Sequence, residues 1–531
     1  MPASPTLADQ RRLIDAFAAK LGRMHGSVRE FETHISRVLV AGEQAWKFKK
    51  AVHTPFLDFS TIEKRRRCCE EELRLNRRLA PEIYLSVEAI GGACDALLAD
   101  ANGAALEYAV KMRAFSQDAL WSERLRHGRL AATEIDDMAQ RLADFHHDAA
   151  AAIEDDPWGT PEALDRIAAE VFDALMPMAP DRAAAKNVAR LRKTLGLQAI
   201  ALHPVFLRRR STSRIRECHG DLHCGNVVTI GGRATAFDCI EFNDSMRWID
   251  VMNDLAFLYM DLSHRGRADF AARLLNAYLE CSGDYDGLRV LRYYRTLRAL
   301  IRCMVAWLRA SQLAENAQGA ASLLAEGRAY LEAAQRSAAP ARPAIVITHG
   351  PSGSGKSTLT GWMLERLGAV RLRSDVERKR LHGLASTDRT GGGDLYDEAA
   401  TRATYARLEM LAAAAACAGF ITIVDAAFLD SAQRKPFRLL AARLRIPFFI
   451  LDLKASGAVL RERVAARAAR NQDASDAGVA VLATQLARMQ PLDAEEAPVA
   501  LAIDAEADMG QQAEQARASL LRRMRAWRGV E

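Results

Sequence analysis

The feature that most constrains this 531-residue chain is eight residues long: Gly350-Pro-Ser-Gly-Ser-Gly355-Lys356-Ser357. It fits G-x-x-x-x-G-K-[ST] and lies between an apolar run that reads as a strand, Ile345–Thr348, and a sequence that reads as a helix from about Ser357. The glycines let successive backbone N–H groups turn inward around phosphate oxygens, and the positive end of the following helix adds to the attraction. Lys356 suits the β/γ-phosphates of ATP, and Ser357 suits Mg²⁺. A Gly/Ser-rich linker shares the composition but not the strand, the Lys-Ser pair and the helix. Such a motif needs a sheet around it, and the sequence supplies one. Val370–Leu372, Ile421–Val424, Phe448–Leu451 and Val499–Ile503 read as further strands, each followed by helix or loop. That alternation predicts an α/β domain with a parallel five-stranded sheet and crossover helices.

Gly350, Gly353, Ser354, Gly355, Lys356, Ser357 and Thr358 are the expected phosphate contacts, Lys356 also neutralising charge during transfer. Two acids fall at strand ends, where a parallel sheet opens toward its ligand. Asp375 suits an acceptor hydroxyl, or else a helix N-cap. Asp425 suits a Mg²⁺-water contact, or else a solvated loop. Arg463, Arg467 and Arg470 share one helix face, as a lid over the γ-phosphate or as a solvated basic face. The polar run Asn471–Asp476 suits a lid tip.

These residues, with Arg373-Ser-Asp375, Val424-Asp425-Ala, Gln485 and Pro491, resemble the small P-loop kinases of the gluconate-kinase, shikimate-kinase and zeta-toxin type across 344–505. Ala427 stands where the resemblance leads one to expect Thr. Nothing matches an ABC signature or a GTPase base-specificity motif.

Upstream, Arg336-Ser-Ala-Ala-Pro-Ala-Arg-Pro343 reads as a linker, because its prolines disfavour helix and stiffen the segment. Before it, Val28–Phe31, Arg37–Val40 and Ala45–Phe48 read as short strands, and Thr61–Leu79 as a charged helix ended by Pro81. Leu97 to Lys111 reads as a hairpin turning at Asn102-Gly103. From Ala131 to about His203 the pattern is helical, broken near Pro157 and Pro177, and it is helical again from Trp248 to Leu331.

Between those helical stretches lies the second strong motif, His219-Gly-Asp-Leu-His-Cys-Gly-Asn226, with Asp238 twelve residues after Asn226. Asp221 and Asn226 keep the Asp-to-Asn spacing of the catalytic loop H-R-D-x-x-x-x-N, with a metal-binding Asp beyond it. The chemistry explains the residue types. Asp221 orients a hydroxyl nucleophile and accepts its proton, while Asn226 and Asp238 hold Mg²⁺ against ATP. H-G-D in place of H-R-D, and Asp238-Cys-Ile-Glu241 in place of D-F-G, point to small-molecule rather than protein acceptors.

Cys218-His-Gly-Asp-Leu-His-Cys-Gly-Asn226, Phe237-Asp-Cys-Ile-Glu-Phe-Asn-Asp244 and Trp248-Ile-Asp-Val resemble the aminoglycoside-phosphotransferase and choline-kinase superfamily over roughly residues 20–335. Trp46-Lys47-Phe-Lys-Lys50, Phe56-Leu-Asp-Phe and Glu72-Leu-Arg-Leu-Asn-Arg77 support it. The nearest likeness is to bacterial two-domain proteins described as bifunctional aminoglycoside phosphotransferase/ATP-binding proteins. The resemblance implies an α+β protein-kinase-like two-lobed domain, followed by an α/β P-loop NTPase domain. The first spans 1–335, with a small lobe of about 20–112 and a large lobe of about 117–335. A linker at 336–343 and the P-loop domain at 344–531 follow. It further implies that Lys47 contacts the α/β-phosphates and that Glu72 pairs with Lys47. Thr33-His-Ile-Ser36 would lie over the phosphates, and Val110–Phe115 would receive adenine. Lys49 or Lys50, and Glu71, remain alternatives. Alternation along the strand turns Lys47 away from Trp46 and Phe48.

Other signals carry less. Cys218, His219, His223 and Cys224 lie close in sequence, but the spacing is not that of a zinc finger and the kinase motif accounts for both histidines. His146-His147 reads as packing on an amphipathic helix, and Asp250 as a brace of the catalytic loop. Arg208-Arg-Arg210, Arg214 and Arg216 suggest an anionic ligand or a solvated loop. The net charge of +6 is small for this length and gives no reason to expect nucleic acid or membrane partners. Nine cysteines without a regular framework, no signal-peptide core and no apolar stretch of ~18–20 residues point to a reduced, cytoplasmic protein. The expected function is ATP- and Mg²⁺-dependent phosphoryl transfer to hydroxyls of small molecules at two sites. The alternative is a nucleotide-sensing regulatory protein that binds ATP without transfer.

Overall fold

The structure is a computed structural model. It describes residues 6–527 apart from 34, 55–56, 92–97, 100–104, 314–316, 386–387, 389–394, 396 and 471–478, and it leaves out the side chains of 54, 98–99, 317, 467–470 and 479–480. The chain forms two compact units. One comprises Met1–Ile167 with Phe206–Asp261, and the other Ala168–Val205 with Leu262–Glu531.

The first unit opens on a six-stranded sheet. Arg29–Glu32, Ser36–Ala41 and Gln44–Lys49 run antiparallel in sequence order, followed by Ala105–Arg113, Tyr84–Gly91 and Leu98–Ala99. Strict alternation along Gln44–Lys49 decides what each face does. Trp46 and Phe48 bury against Phe17 of the helix Leu7–His25, in a cluster with Ile14, Leu21 and Leu39. Lys47 and Lys49 leave the opposite face, where the charged helix Ile62–Asn76 lies, capped by Thr61. The strand Tyr84–Gly91 corrects the expected hairpin. It pairs with both Leu98–Ala99 and Ala105–Arg113, so these two segments flank it instead of pairing with each other. Its mixed sequence, Tyr-Leu-Ser-Val-Glu-Ala-Ile-Gly, hid it as a strand; its inner face packs into the core through Tyr84 and Ile90. The proposed turn at Asn102-Gly103 lies outside the described residues.

The unit also holds the helix Ala132–Asp148 and a segment made of short pieces that carries the second motif. Ile215–Glu217 pairs with Trp248–Asp250, and Val227–Ile230 pairs with Arg233–Ala236.

The second unit is built on five parallel strands in the order Val370–Arg373, Ile421–Asp425, Ala344–His349, Phe448–Lys454, Ala500–Asp504. The central strand is buried at every position, as expected where helices cover both faces. The unit takes in more chain than the segment from 344 onward. The helix Ala268–Ser282 lies against the edge strand Val370–Arg373 and the helix Lys356–Leu367. Asn276 there accepts the Arg371 N–H (2.7 Å) and donates to the Ala369 carbonyl (2.8 Å), so a side-chain amide covers backbone that an edge strand would otherwise leave unpaired. Glu280 pairs with Arg371 (2.9 Å) and Arg373 (3.5 Å). The helix Ala317–Ala338 runs into the expected linker, and residues 339–343 carry no regular secondary structure. Among the described residues no helix is long and apolar enough to cross a membrane.

Candidate functional site

Each unit carries one constellation. In the first unit, Lys47 Nζ donates to Glu72 Oε1 at 2.7 Å and also meets Asp238 Oδ1. The other Glu72 oxygen meets Lys49, which in turn meets Glu241. The helix Ile62–Asn76 presents Glu72 fully buried between the two lysines. Burial pushes its carboxyl up, but the two ammonium groups outweigh that and hold it below the ordinary carboxylate range. Burial lowers the Lys47 ammonium, and Asp238 and Glu72 more than restore it, so it stays charged. At Glu241 burial wins over Lys49 and raises the carboxyl. Asp238 sits at φ +66°, a left-handed conformation for a residue with a Cβ. Its N–H donates to the Tyr84 hydroxyl (3.1 Å), and the Cys239 N–H donates to Asn76 Oδ1 (2.9 Å).

The segment that carries the second motif is ordered around Asp221 and Asn226. Asn226 Nδ2 donates to the Asp221 carbonyl and to its Oδ2, both at 3.0 Å, which leaves the amide oxygen for another partner. His223 Nε2 lies 3.5 Å from the same Oδ2. His219 is buried. Its Nδ1 accepts the Asp221 N–H (3.2 Å), so the proton sits on Nε2, which faces the Phe237 carbonyl at 2.8 Å. Gly220 has φ +86°, and a Cβ there would stand 2.7 Å from the Met246 carbonyl oxygen, so nothing larger than glycine fits where protein kinases carry Arg.

Carboxylates of the following segment anchor this part of the chain. Asp250 is locked to buried Arg209 through two bonds of 2.6 and 2.7 Å. Asp254, fully buried, is the residue that accepts the His219 and Gly220 N–H groups, each at 3.0 Å, and it also meets His146 Nε2 at 3.2 Å. Asp261 accepts the Cys224 N–H at 2.9 Å. His146 thus has a polar task beyond packing. The available signal was a pair of carboxylates, Asp254 and Asp261, two helical turns apart in a largely apolar helix. The arginines of 208–216 also have structural partners. Arg210 donates to the carbonyls of Glu154 and Asp156, and Arg216 to those of His147 and Ala149.

Ser36 is buried, and its N–H and hydroxyl both meet Thr33 Oγ1 at 2.9 Å, closing the turn between the first two strands. His34 of that turn lies outside the described residues.

In the second unit, Gly350 (φ +151°) and Gly353 (φ +85°) shape the loop. A Cβ on Gly353 would come within 2.8 Å of the Leu460 carbonyl oxygen. Gly355 (φ +85°) precedes the helix Lys356–Leu367, which brings Ser357 and Thr358 into its first turn. Lys356 Nζ donates to the carbonyls of Gly350 (2.9 Å) and Pro351 (2.8 Å) and so lies over the loop. The Ser354 hydroxyl is buried with no hydrogen-bond partner among the described residues, which fits a loop able to take a further polar group. Asp425 is buried at the end of its strand and accepts from Thr360 (3.0 Å), one turn beyond Ser357. Ser357 and Asp425 are hard oxygen donors of the kind Mg²⁺ takes, as are Asn226 and Asp238 in the first unit, so both donor sets fit that ion.

Asp375 lies in the first turn of the helix Ser374–Leu381, half-buried. Its charge adds to burial in pushing the Tyr405 hydroxyl up to about 12. Arg463 donates to the Ala505 carbonyl (2.8 Å), on the loop after the last strand. The side chains of Arg467 and Arg470, and the segment Asn471–Asp476, lie outside the described residues. Gln485 accepts the Ser352 N–H at 2.7 Å. Thr360 and Glu241 were missed in the sequence. Thr360 stands three residues after Ser357, and Glu241 three after Asp238, spacings that carry meaning only once the local backbone is known.

Residues 345–492 match the AAA domain family (AAA_33). The chain is 30% identical over 459 residues to the uncharacterized protein Rv2004c of Mycobacterium tuberculosis (strain ATCC 25618 / H37Rv), covering 86% of this chain and 89% of that protein. Among solved structures, a choline/ethanolamine kinase family protein from Mesorhizobium loti aligns over 61% of this chain and 99% of its own, at 14% identity and a TM-score of 0.38. A gluconokinase from Sinorhizobium meliloti 1021 aligns over 35% of this chain and 95% of its own, at 21% identity and a TM-score of 0.26. By its 30% identity to the mycobacterial protein over most of both lengths, the chain belongs to that protein's family.

Proposed function

We propose that the chain is an ATP- and Mg²⁺-dependent phosphotransferase with two nucleotide centres, each acting on a hydroxyl group of a small molecule. The observation that carries this reading is Lys47, held by Glu72 on one side and by Asp238 on the other. A site that only senses nucleotide has no need of a second carboxylate, half-exposed Asp238, aimed at the phosphate lysine.

In the first centre Lys47 binds the α/β-phosphates, Ser36 lies in the turn over them, and Asn226 and Asp238 hold Mg²⁺. The ion neutralises phosphate charge. Asp221, kept in place by the Asn226 amide, takes the proton of the acceptor hydroxyl as its oxygen attacks the γ-phosphorus and the bond to the ADP oxygen breaks. In the second, the Gly350–Thr358 loop and Lys356 cradle the phosphates, Ser357 and Asp425 serve the metal, and Asp375 faces the acceptor. Arg463 and Arg467 serve the nucleotide from the lid side. Positioning and charge neutralisation supply most of the rate, with no covalent enzyme intermediate. A reduced, cytoplasmic setting is part of this reading.

The test is ATP turnover against a library of small alcohols, amino sugars and sugars, with Asp221→Ala and Lys356→Ala compared. Each substitution is expected to remove one acceptor-dependent activity and spare the other. ATP binding without turnover for any acceptor would favour the sensing alternative.

A further inference from the structure

The segment from Asp238 to Glu241 is tied down by charge at both ends, and the proposed chemistry uses only one tie. Asp238 meets Lys47, and three residues later Glu241 meets Lys49. Lys47 and Lys49 are two apart on one strand, so their side chains leave the same face. Glu72 stands between them and gives one oxygen to each. The result is an unbroken line, Asp238–Lys47–Glu72–Lys49–Glu241, that begins and ends on the same four-residue stretch. Lys49 is 1% exposed and Glu241 7%, both withdrawn from solvent. A buried ion pair is costly to assemble, so its presence here asks for a task.

Asp238 supplies the task. Its left-handed backbone, φ +66°, is one that a residue with a Cβ keeps only when its surroundings enforce it. The enforcement is visible residue by residue. The Asp238 N–H is taken by Tyr84, the Cys239 N–H by Asn76 and the Ile240 N–H by the His219 carbonyl at 3.1 Å. Arg247 takes the Glu241 carbonyl at 3.2 Å, and Lys49 takes its carboxylate. Glu241 is the last of these anchors, and through Lys49 it joins the same Glu72 that orients Lys47.

We propose that Lys49 and Glu241 are positioning residues, which hold Asp238 in the backbone conformation that presents its carboxylate to the divalent cation. The inference rests on the reading of this centre as a nucleotide–metal site. Because Glu241 acts through Asp238 and does not touch Glu72 or Lys47, its loss strikes metal affinity and spares metal-free nucleotide binding.

The test uses the full chain carrying Lys356→Ala, so that only the first centre responds, with Mg²⁺ titrated against a fluorescent ATP analogue. Glu241→Gln is expected to raise the Mg²⁺ concentration at half-maximal binding about ten-fold, the usual scale for a residue supporting a metal ligand, and to leave affinity in EDTA within about two-fold. Lys49→Met should raise the same Mg²⁺ midpoint, and the double variant should lose no more Mg²⁺ affinity than the worse single one, since the pair works as one device. If Glu241→Gln does not fold, Glu241→Asp is expected to shift the midpoint the same way and by less. Single variants that fold and titrate like the parent, or a double variant that adds the two losses, would overturn the positioning role. Asp238→Asn separates the two levels. If it leaves Mg²⁺ dependence unchanged, the reading of the centre itself is wrong and the inference falls with it; if it removes that dependence while Glu241→Gln does not disturb it, the positioning role alone is wrong.

Discussion

Asp254→Asn isolates the carboxylate that supports the catalytic loop without touching a proposed nucleotide contact. Asp254 is fully buried and accepts three hydrogen bonds, from the His219 N–H, the Gly220 N–H and His146 Nε2. In the variant one oxygen becomes an NH₂ group. Whichever way the amide turns, it sets a donor against at least one backbone donor that cannot move. A hydrogen bond to a charged group is worth about 1.5–3 kcal/mol and a buried unsatisfied donor costs about 1–3 kcal/mol, so the expected loss is about 2–4 kcal/mol. With a urea slope of about 2–3 kcal/mol per M, the transition of the first unit should move down by about 1 M.

The effect carries a pH signature. Burial pushes the Asp254 carboxyl up, but the bond and charge of His146 more than offset it, and the net shift is downward. A carboxyl depressed in the folded state contributes stability that is present above its unfolded value of about 3.9 and fades as pH falls through the folded value. The gap between wild type and variant should therefore be full at neutral pH and narrow below about pH 4. Urea melts at pH 7 and pH 3.5, read by tryptophan fluorescence, check both points. An unchanged midpoint at pH 7, or a gap that widens in acid, would refute the reasoning.

Three further outcomes follow from single contacts. Gly353→Ala forces a Cβ to 2.8 Å from the Leu460 carbonyl oxygen at φ +85°, and should weaken ATP binding at the second centre by about ten-fold or more, as titration of a Lys47→Ala chain would read. Glu280→Gln leaves Arg371 and Arg373 without their carboxylate, and should cost the second unit about 1–3 kcal/mol in thermal unfolding at pH 7, with an unshifted melt counting against it. The Arg371 and Arg373 charges hold the Glu280 carboxyl down against burial, so that difference too should shrink below about pH 4. Thr360→Val removes the 3.0 Å bond to Asp425, and should raise the Mg²⁺ requirement of P-loop-dependent turnover with little change in folding.

Much of the fold was legible because its signals are local. Five apolar runs separated by helices predict five parallel strands, and all five occur within one to three residues of their expected limits. The strand Tyr84–Gly91 was illegible because Ser86 and Glu88 interrupt its pattern, and Glu88 is buried only through its tertiary partners Trp46 and Lys111. The spread of the second unit into the helix Ala268–Ser282 was illegible for a related reason. Asn276 and Glu280 look like ordinary helix residues until an edge strand is placed beside them. Within the sites, spacing marked the residues expected to touch substrate. It did not mark those that hold them, such as Asp254, Lys49 and Glu241, whose roles depend on contacts 23 to 192 residues away.

The central claim is that one chain carries two separate nucleotide centres, and counting them tests it most directly. Calorimetric titration with Mg²⁺ and a non-hydrolysable ATP analogue should give two nucleotides per wild-type chain, one for Lys47→Ala, one for Lys356→Ala and none for the double variant. One nucleotide per wild-type chain, or loss of both with either single substitution, would contradict the account.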